Sequence, residues 1–84
     1  MAQITVYTTD PCSFCVRVKQ LLAKRELEYT EINLSKDPEG RDRLVELTGM
    51  VSFPQVVIGD EVIGGFLETI EADRSGRLSD LLAA

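Results

Sequence analysis

The sequence predicts an α/β fold in which a four-stranded mixed β-sheet is flanked by three to four helices, in the order βαβαββα. Three observations carry this reading. Short β-branched runs alternate with stretches of helical periodicity. A helix separates the first two strands, which demands a parallel crossover. Only two residues join the last two strands, which demands an antiparallel hairpin. A chain of 84 residues has the size of one small domain, so a single domain over residues 1–84 is expected, with any active site assembled from one core.

Gln3-Ile4-Thr5-Val6-Tyr7-Thr8 alternates polar and apolar side chains, as a half-buried strand does. After Asp10-Pro11, the residues Phe14, Val18, Leu21 and Leu22 recur at i, i+4, i+7 and i+8, one apolar face of a helix running to about Arg25. Pro11 suits the first turn of that helix, where a missing N–H costs nothing. Residues 28–34 read as the second strand. Asp37-Pro38 then reads as an N-cap followed by proline at the first helical position, opening a helix that buries Leu44, Val45 and Leu47 and stops at Gly49. Gln55-Val56-Val57-Ile58 and Glu61-Val62-Ile63 flank Gly59-Asp60, a hairpin connection. Gly64-Gly65 breaks the last strand, and residues 66–73 and 78–82, on either side of Gly76, form a broken C-terminal helix.

Composition narrows the chemistry. A hydrophobic fraction of 44% with 27% charged residues is that of a folding globular chain. No apolar run approaches the roughly 20 residues that span a bilayer, and the first eight residues lack the basic and apolar regions of a signal peptide. No membrane association and a cytoplasmic location are therefore expected. Nine basic and fourteen acidic residues give a formal charge of −5, which repels phosphate backbones and argues against nucleic acid as a partner. The chain has no His, which removes histidine-based hydrolase triads and histidine metal sites.

Two cysteines remain, spaced as Cys12-Ser13-Phe14-Cys15 where the first strand gives way to the first helix. Unsatisfied N–H groups and the positive end of the helix dipole favour a thiolate over a thiol at Cys12. A dipole interaction of up to about 2 kcal/mol lowers a thiol pKa by about 1 to 1.5 from roughly 8.5. Direct hydrogen bonds must supply any further drop. Cys15 lies on the same helix face, so its S–H can stabilise the thiolate and later displace a mixed disulfide. Other uses of the pair fit worse. A staple closing a loop of about four residues contributes only about 2 kcal/mol in the chain-entropy model and is kept reduced in the cytosol. A mononuclear zinc site wants four ligands, and the chain has no third cysteine and no histidine, so no metal site is expected from these residues.

Thr5-Val6-Tyr7-Thr8 leading into Cys12-Ser13-Phe14-Cys15-Val16-Arg17-Val18-Lys19 resembles the active-site segment of a glutaredoxin. Ser52-Phe53-Pro54 followed by a strand resembles the family's Thr-Val-Pro motif with its cis-proline, and Val62-Ile63-Gly64-Gly65-Phe66 resembles its Gly-Gly turn into the third helix. The three segments stand in the family's order across nearly the whole chain. The resemblance implies a thioredoxin-like fold and a glutathione-dependent thiol-disulfide oxidoreductase that reduces protein disulfides or glutathione mixed disulfides, with Cys12 as nucleophile and Cys15 as resolving thiol. It implies glutathione as cosubstrate, extended beside Cys12, and a monomer whose partners are glutathione and disulfide-containing proteins. The backbone of Phe53, before cis-Pro54, would pair with the glutathione cysteine like an added strand. The N–H groups of Phe66 and Leu67 would bind the γ-glutamyl carboxylate, with Gly64 and Gly65 permitting close approach. Arg41 would reach the glycine carboxylate.

Two positions depart from the family pattern. Thr9 stands where many members carry a lysine near the thiolate and the glycine carboxylate, and Leu67 stands where many carry an Asp or Ser that contacts the γ-glutamyl group. Two further readings follow. Relatives that assemble a bridging [2Fe-2S] cluster commonly lack proline after the first cysteine, where this chain has Ser13; such a cluster would use Cys12 of two chains and two glutathione thiolates. Thr9 and Leu67 also suit a dithiol redoxin fed by thioredoxin reductase or by another low-molecular-weight thiol such as mycothiol. Asp10 adds a negative charge beside Cys12 and opposes thiolate formation. In a Cys15→Ser variant, titration of thiolate absorbance is expected to place the Cys12 pKa in the upper part of the range for activated thiols, and a value near about 4 would overturn this.

Overall fold

The alternation read in the first strand decides how the molecule is layered. In the computed structural model, which describes residues 2–83, the elements are β1 (Ile4–Thr8), α1 (Ser13–Lys24), β2 (Tyr29–Asn33), α2 (Pro38–Thr48), β3 (Gln55–Ile58), β4 (Glu61–Gly64), α3 (Phe66–Ser75) and α4 (Arg77–Ala83). The strands lie side by side in the order β2-β1-β3-β4. β1 and β2 are parallel, and both the β1/β3 and β3/β4 pairs are antiparallel. This is the mixed sheet that the crossover and the hairpin require.

Successive side chains of a strand point to opposite faces, and Ile4 and Val6 of β1 join Val56 and Ile58 of β3 on one of them. Val18 and Leu22 of α1, Ile63 of β4, Ala72 of α3 and Leu78 of α4 complete that core. Tyr7, on the other face, lines a cleft with Leu34 and with Gly40, Leu44 and Leu47 of α2. α1 and α3 are also tied at their far ends, where Arg25 Nε and Nη2 donate to the Asp73 carboxylate at 3.1 and 2.9 Å. This bond, and then the Asp73 charge, raise the Arg25 pKa above its ordinary value. Arginine is already charged at every accessible pH, so the pair carries no acid–base switch.

Three expectations need correction. α1 begins at Ser13, and Pro11 lies outside it, after a cis Asp10–Pro11 peptide bond. The reason is Cys12, which has the extended backbone of an N-cap (φ −155°, ψ 102°) and separates the proline from the helix. Phe14, aligned with Val18 and Leu22 by periodicity, is half exposed; it lies in the first turn, beyond the core, and its ring meets Phe66 instead. Leu47 is 55% exposed and Val45 only half-buried, leaving Leu44 as the buried apolar side chain of α2. Leu47 faces Ile32 of the edge strand β2 across an open cleft, and both remain exposed.

The capping of α2 follows the sequence closely. Asp37 Oδ1 accepts the Gly40 N–H at 2.9 Å, Pro38 opens the helix, and Gly49 closes it with a left-handed φ of 74°. Gly40 is buried, and a Cβ there would stand 2.8 Å from both Asp37 Cγ and Leu34 Cδ2. Alanine is a better helix former than glycine by about 1 kcal/mol, yet Gly40→Ala is expected to lower the urea midpoint by disturbing the cap. A raised midpoint would show that Leu34 and Asp37 yield at little cost.

Candidate active site

The site is assembled where β1, β3 and α3 meet the start of α1. β1 ends at Thr8, and four residues on, Cys12 caps α1 with its sulfur, which accepts the Cys15 N–H at 3.1 Å. The two sulfurs are bonded as a disulfide, with Cα atoms 5.2 Å apart. The two ends of this bond differ: Cys15 is 2% exposed, whereas Cys12 is only half-buried. The cysteines are thus the pair the sequence marks, with Cys12 at the helix boundary rather than within the first turn.

Register brings the second segment to them. Tyr7 pairs with Gln55 in the antiparallel β1/β3 ladder, which sets Pro54 alongside Thr8, just before the cysteine turn. The Phe53–Pro54 peptide bond is cis, and Pro54 is buried. Gln55 is fully buried and reaches back so that its Nε2 donates to the Ser52 carbonyl at 2.9 Å, which fixes the approach to Phe53. Its Oε1 has no hydrogen-bond partner among the described residues.

The Gly-Gly turn closes the third side. Val56 pairs with Gly64 in the β3/β4 ladder, and a Cβ on Gly65 would lie 3.4 Å from the Pro54 carbonyl oxygen. The turn therefore packs on the segment that carries Pro54. Gly64 has a φ of 117°, which an L side chain tolerates poorly. Gly65 caps α3, and its N–H donates to Glu68 Oε1 at 2.8 Å. Glu68 was not among the expected site residues, although an acidic side chain three positions after a cap is a recognised signal.

The remaining residues fall on two sides. Arg41 and Phe53 line one cleft of about 200 Å³ with Met50 and Val51. On the other side the Phe66 ring stacks on Phe14 with centroids 5.3 Å apart and planes 15° apart, and the Arg17 guanidinium lies 5.7 Å from the Phe14 centroid. Phe14 was not expected here because a helical apolar row reads as core. Thr9 is half-buried between Thr8 and Asp10, whose Oδ2 accepts from Asn33 Nδ2 at 2.9 Å. Leu67 is 71% exposed and lines a separate cleft with Glu71 and Ser75.

Residues 4–63 match the glutaredoxin family model. The chain belongs to the glutaredoxin family. It is 36% identical to the glutaredoxin of Pseudomonas aeruginosa, with all of both chains covered. It is 29% identical to glutaredoxin 3 of Escherichia coli, over 98% of this chain and 99% of that one. Its fold superposes on a buckwheat glutaredoxin crystallised as a glutathione complex with a TM-score of 0.87 and 30% identity, covering 98% of this chain and 77% of the other. The fold is thus thioredoxin-like, and this glutaredoxin, with its C-x-x-C pair at bonding distance, is a thiol-disulfide oxidoreductase.

Glu68 satisfies the N–H of Gly65, a buried residue at the start of α3. Glu68→Ala is expected to cost about 1 kcal/mol of unfolding free energy, read from urea denaturation of the oxidised protein. No loss would mean that the cap adds nothing beyond solvation.

Proposed function

We propose that this glutaredoxin uses glutathione to reduce protein disulfides and glutathione mixed disulfides, with Cys12 attacking and Cys15 resolving. The observation that carries the assignment is the asymmetry of the pair: the more exposed cysteine is the one that caps α1, while its partner is only 2% exposed.

In the reduced protein a Cys12 thiolate keeps the Cys15 N–H as a charge-assisted donor. It attacks a substrate sulfur, forms a mixed disulfide and releases the other substrate thiolate, which takes a proton from solvent. Cys15 loses its proton and attacks Cys12, so the second substrate thiol leaves and the enzyme disulfide remains. Two glutathione thiols then restore the dithiol, the first through a mixed disulfide at Cys12. A glutathione mixed disulfide of a protein needs only Cys12, because external glutathione can resolve it there.

Support for a glutathione groove comes from three places. Phe53 comes just before the residue that the β1/β3 register sets beside the end of β1, a place where an added strand can pair with its backbone. Arg41 shares a cleft with Phe53, within which a glycine carboxylate finds a cation. The first amides of α3, at Phe66 and Leu67, have no intrahelical acceptor and suit the γ-glutamyl carboxylate. Gly65 and Pro54 form the wall between these parts, and Thr9 borders the thiolate. The buckwheat protein's glutathione complex adds a related fold with that ligand. We extend the reading to a cytoplasmic monomer acting on disulfide-containing proteins. Among the described residues, no helix is long and apolar enough to cross a membrane.

Ser13, in place of proline, favours a second reading, a [2Fe-2S] cluster shared between two chains. Among the described residues no group of three or more His, Cys, Asp or Glu side chains is placed to hold a metal, so each chain would offer Cys12 alone and glutathione would complete the set.

Reduction of a glutathione mixed disulfide, with NADPH, glutathione and glutathione reductase supplying electrons, is expected to proceed in the wild type. It should vanish in Cys12→Ser and persist in Cys15→Ser, whereas reduction of a protein disulfide should fall by at least about tenfold in Cys15→Ser. Activity with thioredoxin reductase but not with glutathione would overturn the electron donor, and a coloured dimer after anaerobic reconstitution would favour the cluster.

A further inference from the structure

The chain between α2 and β3 has little to hold it. Thr48 Oγ1 accepts the Met50 N–H at 3.1 Å, and beyond that point residues 51–53 make no backbone–backbone hydrogen bond among the described residues. Val51 is 79% exposed, and Ser52 is exposed as well. Yet Phe53, the next residue, is the one whose backbone the proposed groove offers to a ligand. One side chain reaches into this stretch from the sheet. Gln55, fully buried in β3, donates its Nε2 to the Ser52 carbonyl at 2.9 Å, with a longer approach of 3.4 Å to Ser52 Oγ. All four residues of β3 are buried, so the donor stands on a packed strand. Because Oε1 meets no partner among the described residues, the contact with Ser52 is what orients the amide.

We propose that Gln55 is a positioning residue: its amide braces the Ser52 carbonyl and so holds the Phe53 backbone in the conformation that receives glutathione. The inference rests on the glutathione groove proposed above. An unbraced segment must be ordered at each binding event, and that entropy is lost from affinity, whereas a braced segment is ordered beforehand. The brace acts through main chain and donates to neither sulfur. It therefore sets selectivity for glutathione and leaves the exchange chemistry of Cys12 unchanged. Methionine is close to glutamine in length and volume but has no N–H to donate, so it separates filling the space from making the bond.

The test uses full-length protein carrying Cys15→Ser, in which the Cys12 mixed disulfide cannot be resolved internally. It is equilibrated with glutathione disulfide or with 2-hydroxyethyl disulfide, each with its thiol, then quenched in acid and read by mass spectrometry. In each exchange Cys12 Sγ bonds one sulfur of the disulfide, and the other leaves as a thiolate that takes a proton from solvent. The 2-hydroxyethyl group has no peptide backbone to pair with Phe53. The ratio of the two equilibrium constants, taken relative to the same ratio for an unstructured cysteine peptide, therefore reports the groove and cancels the properties of the thiol. This preference for glutathione is expected to be at least about tenfold in the parent and to fall at least about fivefold in Gln55→Met. Ser52→Ala should keep it, because the accepting carbonyl is main chain. A preference that survives Gln55→Met would overturn the brace and leave the groove standing, and no preference in the parent would overturn both. A second measurement needs no variant: in the wild type, the side-chain amide protons of Gln55 should exchange with solvent more slowly than those of the exposed Gln3 and Gln20, as read by NMR. Equal exchange rates would overturn the brace.

Discussion

The sulfur of Cys12 stands in for the oxygen that usually caps a helix, and the site depends on that substitution. An N-cap side chain must accept a hydrogen bond from the first turn. On the proposed mechanism the acceptor is also the attacking atom, and the donor is the backbone of the other cysteine of the pair. A thiol accepts such a bond weakly and a thiolate strongly, so the cap stabilises the charged form of the very atom that caps. The same geometry puts Cys15 in the first turn, close enough to bond and buried enough to stay out of a substrate's way.

The rest of the fold holds that cap in place and frames it. β1 delivers the chain to the turn before Cys12, and Leu34 N–H donates to the Thr8 carbonyl at 2.8 Å, securing the end of the strand. Thr8 Oγ1 donates to Glu31 Oε2 at 2.8 Å, and the same carboxylate takes Lys19 Nζ at 3.1 Å, which links β1, β2 and α1 just below the site. β3 contributes through its register: with Tyr7 opposite Gln55, Pro54 can only fall beside the end of β1. The β3/β4 ladder carries a bulge between Val56 and Val57, and a bulge bends the strand that carries it. Beyond it Gly64 and Gly65 turn the chain over the proline into α3.

Much of this was legible in the sequence because local chemistry and global fold agree. Asp37-Pro38 and Gly49 marked the ends of α2, Gly59-Asp60 marked the hairpin, and the cysteine spacing marked the redox pair. Two of the failures share a cause. Periodicity reports which residues share a helix face but not how far that face is covered. Phe14 and Leu47 lie on apolar rows, at the first turn of α1 and near the last turn of α2, where the rows run past the core. Pro11 fits a first helical turn by residue type, yet the cysteine behind it takes the capping conformation and moves the start of the helix. The Phe14–Phe66 contact joins residues 52 positions apart and depends on how α1 packs against α3. No local pattern encodes such a contact.

The two sides of the site make opposite demands on a ligand. Toward α2, Arg41 and the Phe53 backbone offer charge and hydrogen bonds; toward α3, the side chains nearest the helix start are Phe66 and Leu67, and the Gly65 N–H is already taken by Glu68. On the proposed reading, the γ-glutamyl end of glutathione is held by backbone amides alone, with no polar side chain at position 67 to sharpen the choice. Backbone amides recognise a carboxylate but not the remainder of the tripeptide. Selectivity for glutathione must then come from the Arg41 side. A groove divided in this way can take glutathione and a polypeptide in turn at the same sulfur, as the alternating half-reactions of a disulfide reductase require.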